Sequence, residues 1–481
     1  MKIIKTLLLS SLITPAFGQI IVDLGPEISA GDGSTYGNLR PRMAMTTDGP
    51  VILLSKGGGG ALSVAKWNGT GFDTPVDILP AGMETYASTW TGADIAAAGN
   101  NVVVVFKSTP VETGRVYAVR STDGGATFSD TIRVENHMAG IAWMPSLDID
   151  AAGNPTVTYM VHDANWTNPR YAVARSMDGG QTFMAQQEVA GGVPGEACDC
   201  CPAEVAVSGD KSVLLFRNND ANLRDIYGVL SLDGGATFGS EANIDNTNWV
   251  INACPSTGPD GRFVGNTLFT TYASRATGDY RVYITRSDVT SALTYTDRLP
   301  VIESETNTSS QNYPRISSWG DTVAVAWQEN KGSNADIYVS ITTNSGTDML
   351  TELSLNPFLA NENTLGVQSY PDVVIENGIL HLCYYESLSG DVVYRRGLIG
   401  QVNIMELNES NIVIAPNPST TGKFSLSGDQ IDVAKITDQS GKEVPFTLTN
   451  NELKINADQG VYFLNGTTHQ GTNVVRKLVI Q

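Results

Sequence analysis

The sequence predicts an all-β chain, a seven-bladed β-propeller of four-stranded blades followed by a small C-terminal β-sandwich. Three observations predict it. The box STDGGATF at 121–128 returns as SMDGGQTF at 176–183 and SLDGGATF at 231–238, each step being 55 residues. A fixed interval of this length marks a repeat architecture. The runs RVYAVRS, RYAVARS and DIYGVLS lead into the three boxes, and their alternation is that of half-buried strands. A proline opens the first strand of six repeats in one register, at Pro41, Pro145, Pro202, Pro255, Pro314 and Pro371. Two markers in phase over short strands describe blades set around an axis.

Residues 1–18 carry Lys2 and Lys5, an apolar run and Ala16-Phe17-Gly18, the pattern of a secretory signal cleaved before Gln19. That run is too short to span a membrane and no later stretch is longer, so no transmembrane segment is predicted. The propeller is expected over 19–403. Its phase runs back from Ser121 to Trp67 and forward from Ser231 to Ser287, Thr342 and Gly397, which makes seven positions. The last repeat ends near residue 400 after three strands. QIIVDLGPEIS near the N-terminus is similar to the outer strand TPVDILP of the first repeat and is expected to complete the seventh blade.

Each box reads as a hairpin turn. Asp123, Asp178 and Asp233 can accept backbone amide hydrogens, and the Gly-Gly pairs containing Gly125, Gly180 and Gly235 tolerate positive φ. With Ser121, Ser176 and Ser231 they form a structural set. Chemistry is then expected at the other end of each blade, where second strands end and first strands begin. The period places Lys56, Lys107, His162, Arg217, Ala273, Gln328 and Tyr385 or Glu386 at the ends of successive second strands. Lys56, Lys107, His162 and Arg217 on neighbouring blades would make a basic arc that focuses anionic ligands. Arg40, Met144, Cys201, Cys254, Tyr313 and Tyr370 precede the blade prolines, and Trp90 holds that place in the second blade. Aromatic rings and arginines around a funnel suit sugars, the rings stacking and the guanidinium fixing acidic groups.

The chain has 30 basic and 50 acidic residues, a net charge of −20 and a pI of about 4.5. This argues against nucleic acid or an anionic membrane surface as partner. Cys198, Cys200 and Cys201 lie in GEACDCCPAE, Cys254 one repeat later, and Cys383 alone in an apolar strand. In an exported protein an inter-blade disulfide from Cys201 to Cys254, or from Cys198 or Cys200, is expected, with a second bridge inside the cluster open. C-x-C-C is not a zinc spacing, so no metal site is assigned with His137 or His162. Cys383 is expected to be a buried thiol.

Residues 404–481 form a linker and a separate β domain marked by Pro416-Asn417-Pro418, Gly460-Val461-Tyr462 and Lys477-Leu478-Val479. This tail resembles the C-terminal sorting domain of the type IX secretion system. The resemblance implies Sec export, passage through the type IX machinery, and release or attachment at the cell surface. The boxes resemble the Asp-box (BNR) repeats of sialidases, most clearly over 90–300. That resemblance implies structural box aspartates and a site on the opposite face, and it makes six blades the alternative count. A sialidase would use three arginines, a tyrosine nucleophile with a glutamate partner, and an aspartic acid/base. Its Arg-Ile-Pro marker reads Arg40-Pro41-Arg42 here. Tyr313, Tyr370 or Tyr385 with Glu386 would supply the phenol, and Asp163 or Asp220 the acid.

A polysaccharide lyase would instead use Arg217 or Lys107 on the uronate carboxylate and His162 as base. A non-catalytic glycan-binding or adhesion propeller would use the same funnel without a proton donor. None of these readings requires a cofactor. The expectation is a secreted or cell-surface monomer acting on extracellular, acidic glycans, as a sialidase-like hydrolase with lyase and binder as alternatives.

Overall fold

The computed structural model describes residues 19–481 except 137–139, 190, 303–308, 344–349, 351–352, 354–356, 403–411, 429–430, 439–441 and 469–472. The expected signal segment, His137 and most of the linker lie outside the described residues. Within the described chain, Ile20–Gln401 form one compact unit, and the residues from Val402 onward form another.

The box turns hold themselves together. Asp178 Oδ1 accepts from the amides of Gln181 and Thr182, both at 2.9 Å, and Oδ2 from the Thr182 hydroxyl at 2.6 Å. The Ser176 hydroxyl accepts from Gly180 N at 2.9 Å, and the paired glycines lie at φ +70° and +83°. Hydrogen bonds from Thr182, then Ser176, bring the Asp178 carboxyl down to about 2. The boxes at Asp123 and Asp233 repeat these contacts.

Seven antiparallel sheets of four or five strands follow one another among the described residues between 19 and 402. Their first strands are Leu39–Thr46, Asp94–Ala98, Ile141–Ile149, Glu204–Ser208, Asp260–Val264, Ser310–Trp319 and Gln368–Glu376. Each first strand packs on those of the sheets before and after it, and the last packs on the first. Nearly all-β sheets arranged this way are consistent with a β-propeller. The seventh sheet takes its outer strand from Gln19–Leu24, paired with Asp391–Val402. The second strands read as continuous apolar runs because both their faces are covered. Val102, Val103, Val104, Val105 and Phe106 are all fully buried. Between the second and third sheets Val103 and Val105 pack with Leu147, Val157 and Tyr159. Each such burial contributes on the order of 1.5–3 kcal/mol.

The tail unit has one sheet built from Val413–Ala415, Lys423–Ser427, Glu452–Ile455 and Phe446–Thr449, and another from Ile431–Asp438, Gly460–Thr468 and Asn473–Ile480. Phe424, Leu453, Leu464 and Leu478 join them in one apolar core. No helix among the described residues is long and apolar enough to cross a membrane.

Candidate functional site

Four of the first strands are bulged where a proline enters, between Leu39 and Arg42, Trp143 and Ser146, Asn312 and Arg315, and Ser369 and Asp372. Proline has no N–H to give the ladder, so the strand steps out of register there. The residue before each proline takes the left-handed region: Arg40 at φ +49°, Met144 at +51°, Tyr313 at +50° and Tyr370 at +55°. Such a backbone costs roughly 1–3 kcal/mol per residue and concentrates at functional sites. Three of these, Arg40, Tyr313 and Tyr370, line a cavity of about 50 Å³ that six of the first strands and the loop entering the fifth help to enclose. Tyr313 and Tyr370 meet edge to face at 5.0 Å. Burial raises both phenols, that of Tyr370 to about 12. Trp90 and Tyr385 are half-buried, and Arg40 Nη1 donates to the Trp90 carbonyl at 2.6 Å.

One residue per sheet forms a floor ring at the base of the cavity: Arg42, Asp94, Ser146, Glu204 and Arg315 line the cavity, and Asp260 and Asp372 join them through Arg315. Most of these charges are matched inside the ring. Arg315 Nε lies 2.9 Å from Asp372 and 3.3 Å from Asp260, and its Nη1 3.4 Å from Glu204. Arg42 Nε lies 3.6 Å from Asp94. Three carboxylates also clip the next sheet by accepting its backbone amides: Asp372 from Met43, Asp94 from Leu147 and Asp260 from Ile316, at 2.8, 3.1 and 2.9 Å. Burial opposes the charge on Arg315, yet Asp260, Asp372 and Glu204 hold its pKa well above the ordinary value. Glu204 accepts no such amide among the described residues, and burial raises its carboxyl. Arg40 forms no ion pair among the described residues. Burial, then Arg42 and Arg315, push its guanidinium below its ordinary pKa.

The expected basic arc is not formed. Lys107 is buried and gives its ammonium to the Gly114 carbonyl, and burial brings its pKa down to about 8. Arg217 is fully buried, with its guanidinium donating to the carbonyls of Arg224 and Ala273 at 2.7 Å and of Thr257 at 3.3 Å. These bonds tie the fourth sheet to the fifth. His162 is buried, its Nε2 3.0 Å from Met160 Sδ and its ring against Trp166. Burial lowers its pKa.

Strand register explains the misplacement of His162. Lys107 and Arg217 lie five residues beyond Val102 and Ser212, which pair with the box serines Ser121 and Ser231. The matching residue in the third sheet is Met160, five beyond Pro155, which bonds to Ser176. His162 sits two residues farther along.

Other expected groups are also engaged locally. Glu386 caps its own turn, accepting from the amides of Leu388 and Ser389 at 2.9 and 2.6 Å. Burial alone would raise its carboxyl, but these bonds and others from Ser389 and Gln368 hold it below the ordinary value. Asp163 pairs with Arg170 at 3.0 Å, Gln328 donates to Asn330, and Lys56 is exposed and donates to the Thr35 carbonyl.

Cys201 and Cys254 are not at the mouth. The fifth sheet enters through Pro259, after Gly258, rather than Pro255, and register puts Ala203 at the proline position of the fourth. The disulfides are Cys200–Cys254, joining the loops that lead into those two sheets, and Cys198–Cys201 within the cluster. Cys383 is a buried free thiol, raised by burial.

The floor ring was the part missed. A signal existed in the residue directly after each entering proline: Pro41-Arg42, Pro259-Asp260, Pro314-Arg315 and Pro371-Asp372.

No protein-family model matches the chain, and no curated protein matches it. Solved structures do. A protein of unknown function from Dyadobacter fermentans superposes over 79% of this chain and 99% of its own, at 12% identity and a TM-score of 0.47. A polysaccharide lyase of family PL25, an ulvan lyase, covers 79% and 96%, at 9% identity and 0.47. An α-L-arabinofuranosidase from Fusarium graminearum covers 64% and 92%, at 14% identity and 0.42.

Proposed function

We propose that this protein is an exported, seven-bladed propeller that takes the acidic sugars of extracellular glycans into the mouth of its axial cavity and hydrolyses them. The observation that carries the reading is Arg40. It is the cavity guanidinium left without a carboxylate, in a strained backbone, beside Tyr313 and Tyr370. A carboxylate or sulfate supplies the missing counter-charge with two parallel hydrogen bonds, and the phenol rings pack on the sugar. Seven sheets whose first strands pack in a closed series support the blade number. The N-terminal pattern and the tail motifs support export through Sec and the type IX route to the cell surface.

Hydrolysis is assigned to Glu204. Burial raises its carboxyl toward the protonated state that a donor to the leaving glycosidic oxygen needs, while Arg315 opposes the shift. Water attacks the anomeric carbon as the glycosidic C–O bond breaks; Glu204 gives its proton to the leaving oxygen and regains one from the attacking water. The second reading is a glycan-binding propeller without turnover, favoured by the engagement of Asp94, Asp260 and Asp372 with backbone amides. Mass spectrometry of products from sialylated, uronate-rich, sulfated and neutral glycans tests the choice. A hydrated sugar is expected, with Glu204→Gln slowing its release about 10²–10⁴-fold while binding persists. An unsaturated product establishes elimination, and binding without product leaves the binder.

A further inference from the structure

Beside Arg40 the chain gathers three tryptophans. Trp90 and Trp143 meet edge to face at 5.3 Å, and Trp143 and Trp166 at 5.1 Å. Trp143 is buried, whereas Trp166 is 37% exposed. The loop that presents Trp166 is firmly built. Its backbone is left-handed at φ +60°, its amide donates to the Asp163 carbonyl at 3.0 Å, and Arg170 Nη1 ties down Asp163 and the Asn168 carbonyl at 3.0 and 2.8 Å. An apolar ring of this size is fixed toward solvent at a cost in backbone strain, which points to a contact made there.

The loop also carries polar groups beside the ring. Asp163, Asn165 and Asn168 are exposed on the same loop as Trp166. An aromatic face with such a border suits a polyhydroxylated ring better than an acyl chain or an apolar peptide.

We propose that Trp166, backed by Trp143 and Trp90, is the platform for a second, neutral sugar of the same glycan, next to the acidic sugar held by Arg40. The inference rests on the acidic-glycan reading, because the bond from Arg40 to the Trp90 carbonyl is what makes the two places continuous.

Calorimetric titration of the full chain tests it with two pairs of probes: N-acetylneuraminic acid against sialyllactose, and glucuronic acid against cellobiouronic acid. For the pair that binds, the oligosaccharide is expected to exceed its monosaccharide by at least about tenfold, the order lost when an anchoring tryptophan is truncated. Trp166→Ala collapses that ratio to about twofold or less, Trp166→Phe restores part of it, and Trp319→Ala, an exposed tryptophan elsewhere, leaves it intact. A ratio unchanged in Trp166→Ala, while Arg40→Gln abolishes binding, overturns the platform and spares the acidic site. Loss of the ratio in Trp166→Ala with Arg40→Gln still binding both acids overturns the acidic site and keeps the platform. No binding of any probe by the wild type overturns both.

Discussion

The two ends of each sheet solve the same problem in opposite ways. At the box end, the carboxylate of each box is answered within its own turn: Asp178 takes two amides and a hydroxyl from residues three and four positions on. At the mouth, backbone is strained at four prolines, and Arg40 is left without a carboxylate. Both ends repeat around the ring and both are rich in polar residues, so recurrence does not separate them. Satisfaction does. Groups answered locally support the fold, and the proposed function puts the ligand at the group left unanswered. The same contrast holds between two arginines, since Arg217 has its guanidinium saturated by three carbonyls and Arg40 donates to one.

Three measurements break or sharpen that contrast. Arg217→Met strands three carbonyls in the interior and is expected to cost about 3–5 kcal/mol in urea unfolding of the full chain. A stable Arg217→Met variant that no longer binds acidic glycans would return Arg217 to the ligand site. Arg40→Gln is expected to weaken binding of an acidic glycan about 100-fold by calorimetry. It should leave the thermal midpoint level or higher, because an unpaired charge beside Arg42 and Arg315 is removed. A melt lowered as far as that of Arg217→Met would make Arg40 structural too. The smallest effect belongs to the boxes. The Asp178 carboxyl titrates near 2 in the folded chain against an ordinary 3.8, so its contribution is complete above about pH 4 and fades as pH falls through 2. Asp178→Asn should unfold at lower urea than wild type at pH 5, with the gap narrowing as pH falls toward 2. A gap that widens in acid would contradict the assignment.

Much of the fold was legible because its signals are short-range. Ser, Asp and paired Gly must sit at fixed offsets to close a box turn, and alternation survives wherever one face is buried. The site was only half legible. Arg40, Tyr313 and Tyr370 were found because proline marks the bulge that displays them. Lys107 and Arg217 were misread because a long cationic side chain at a strand end looks the same in sequence whether it meets solvent or a neighbouring sheet's carbonyls. His162 was misread for a different reason, a two-residue shift between hairpins that leaves the 55-residue spacing intact. The floor ring depends on pairing across sheets, as when Asp372 accepts from Met43 on the other side of the ring's closure, and no local pattern encodes that partner.

The closure itself bears on how the chain acquires its shape. Gln19–Leu24 is the outer strand of the sheet whose neighbouring strand, Asp391–Val402, is made about 370 residues later. A chain emerging from its N-terminus must therefore carry an unpaired strand edge through almost the whole of its synthesis. Pairing of such distant segments is slow, since the loop between them has to be closed first. That pairing cannot precede the synthesis of Asp391–Val402, and a chain cut short of Asp391 leaves Gln19–Leu24 without its partner strand.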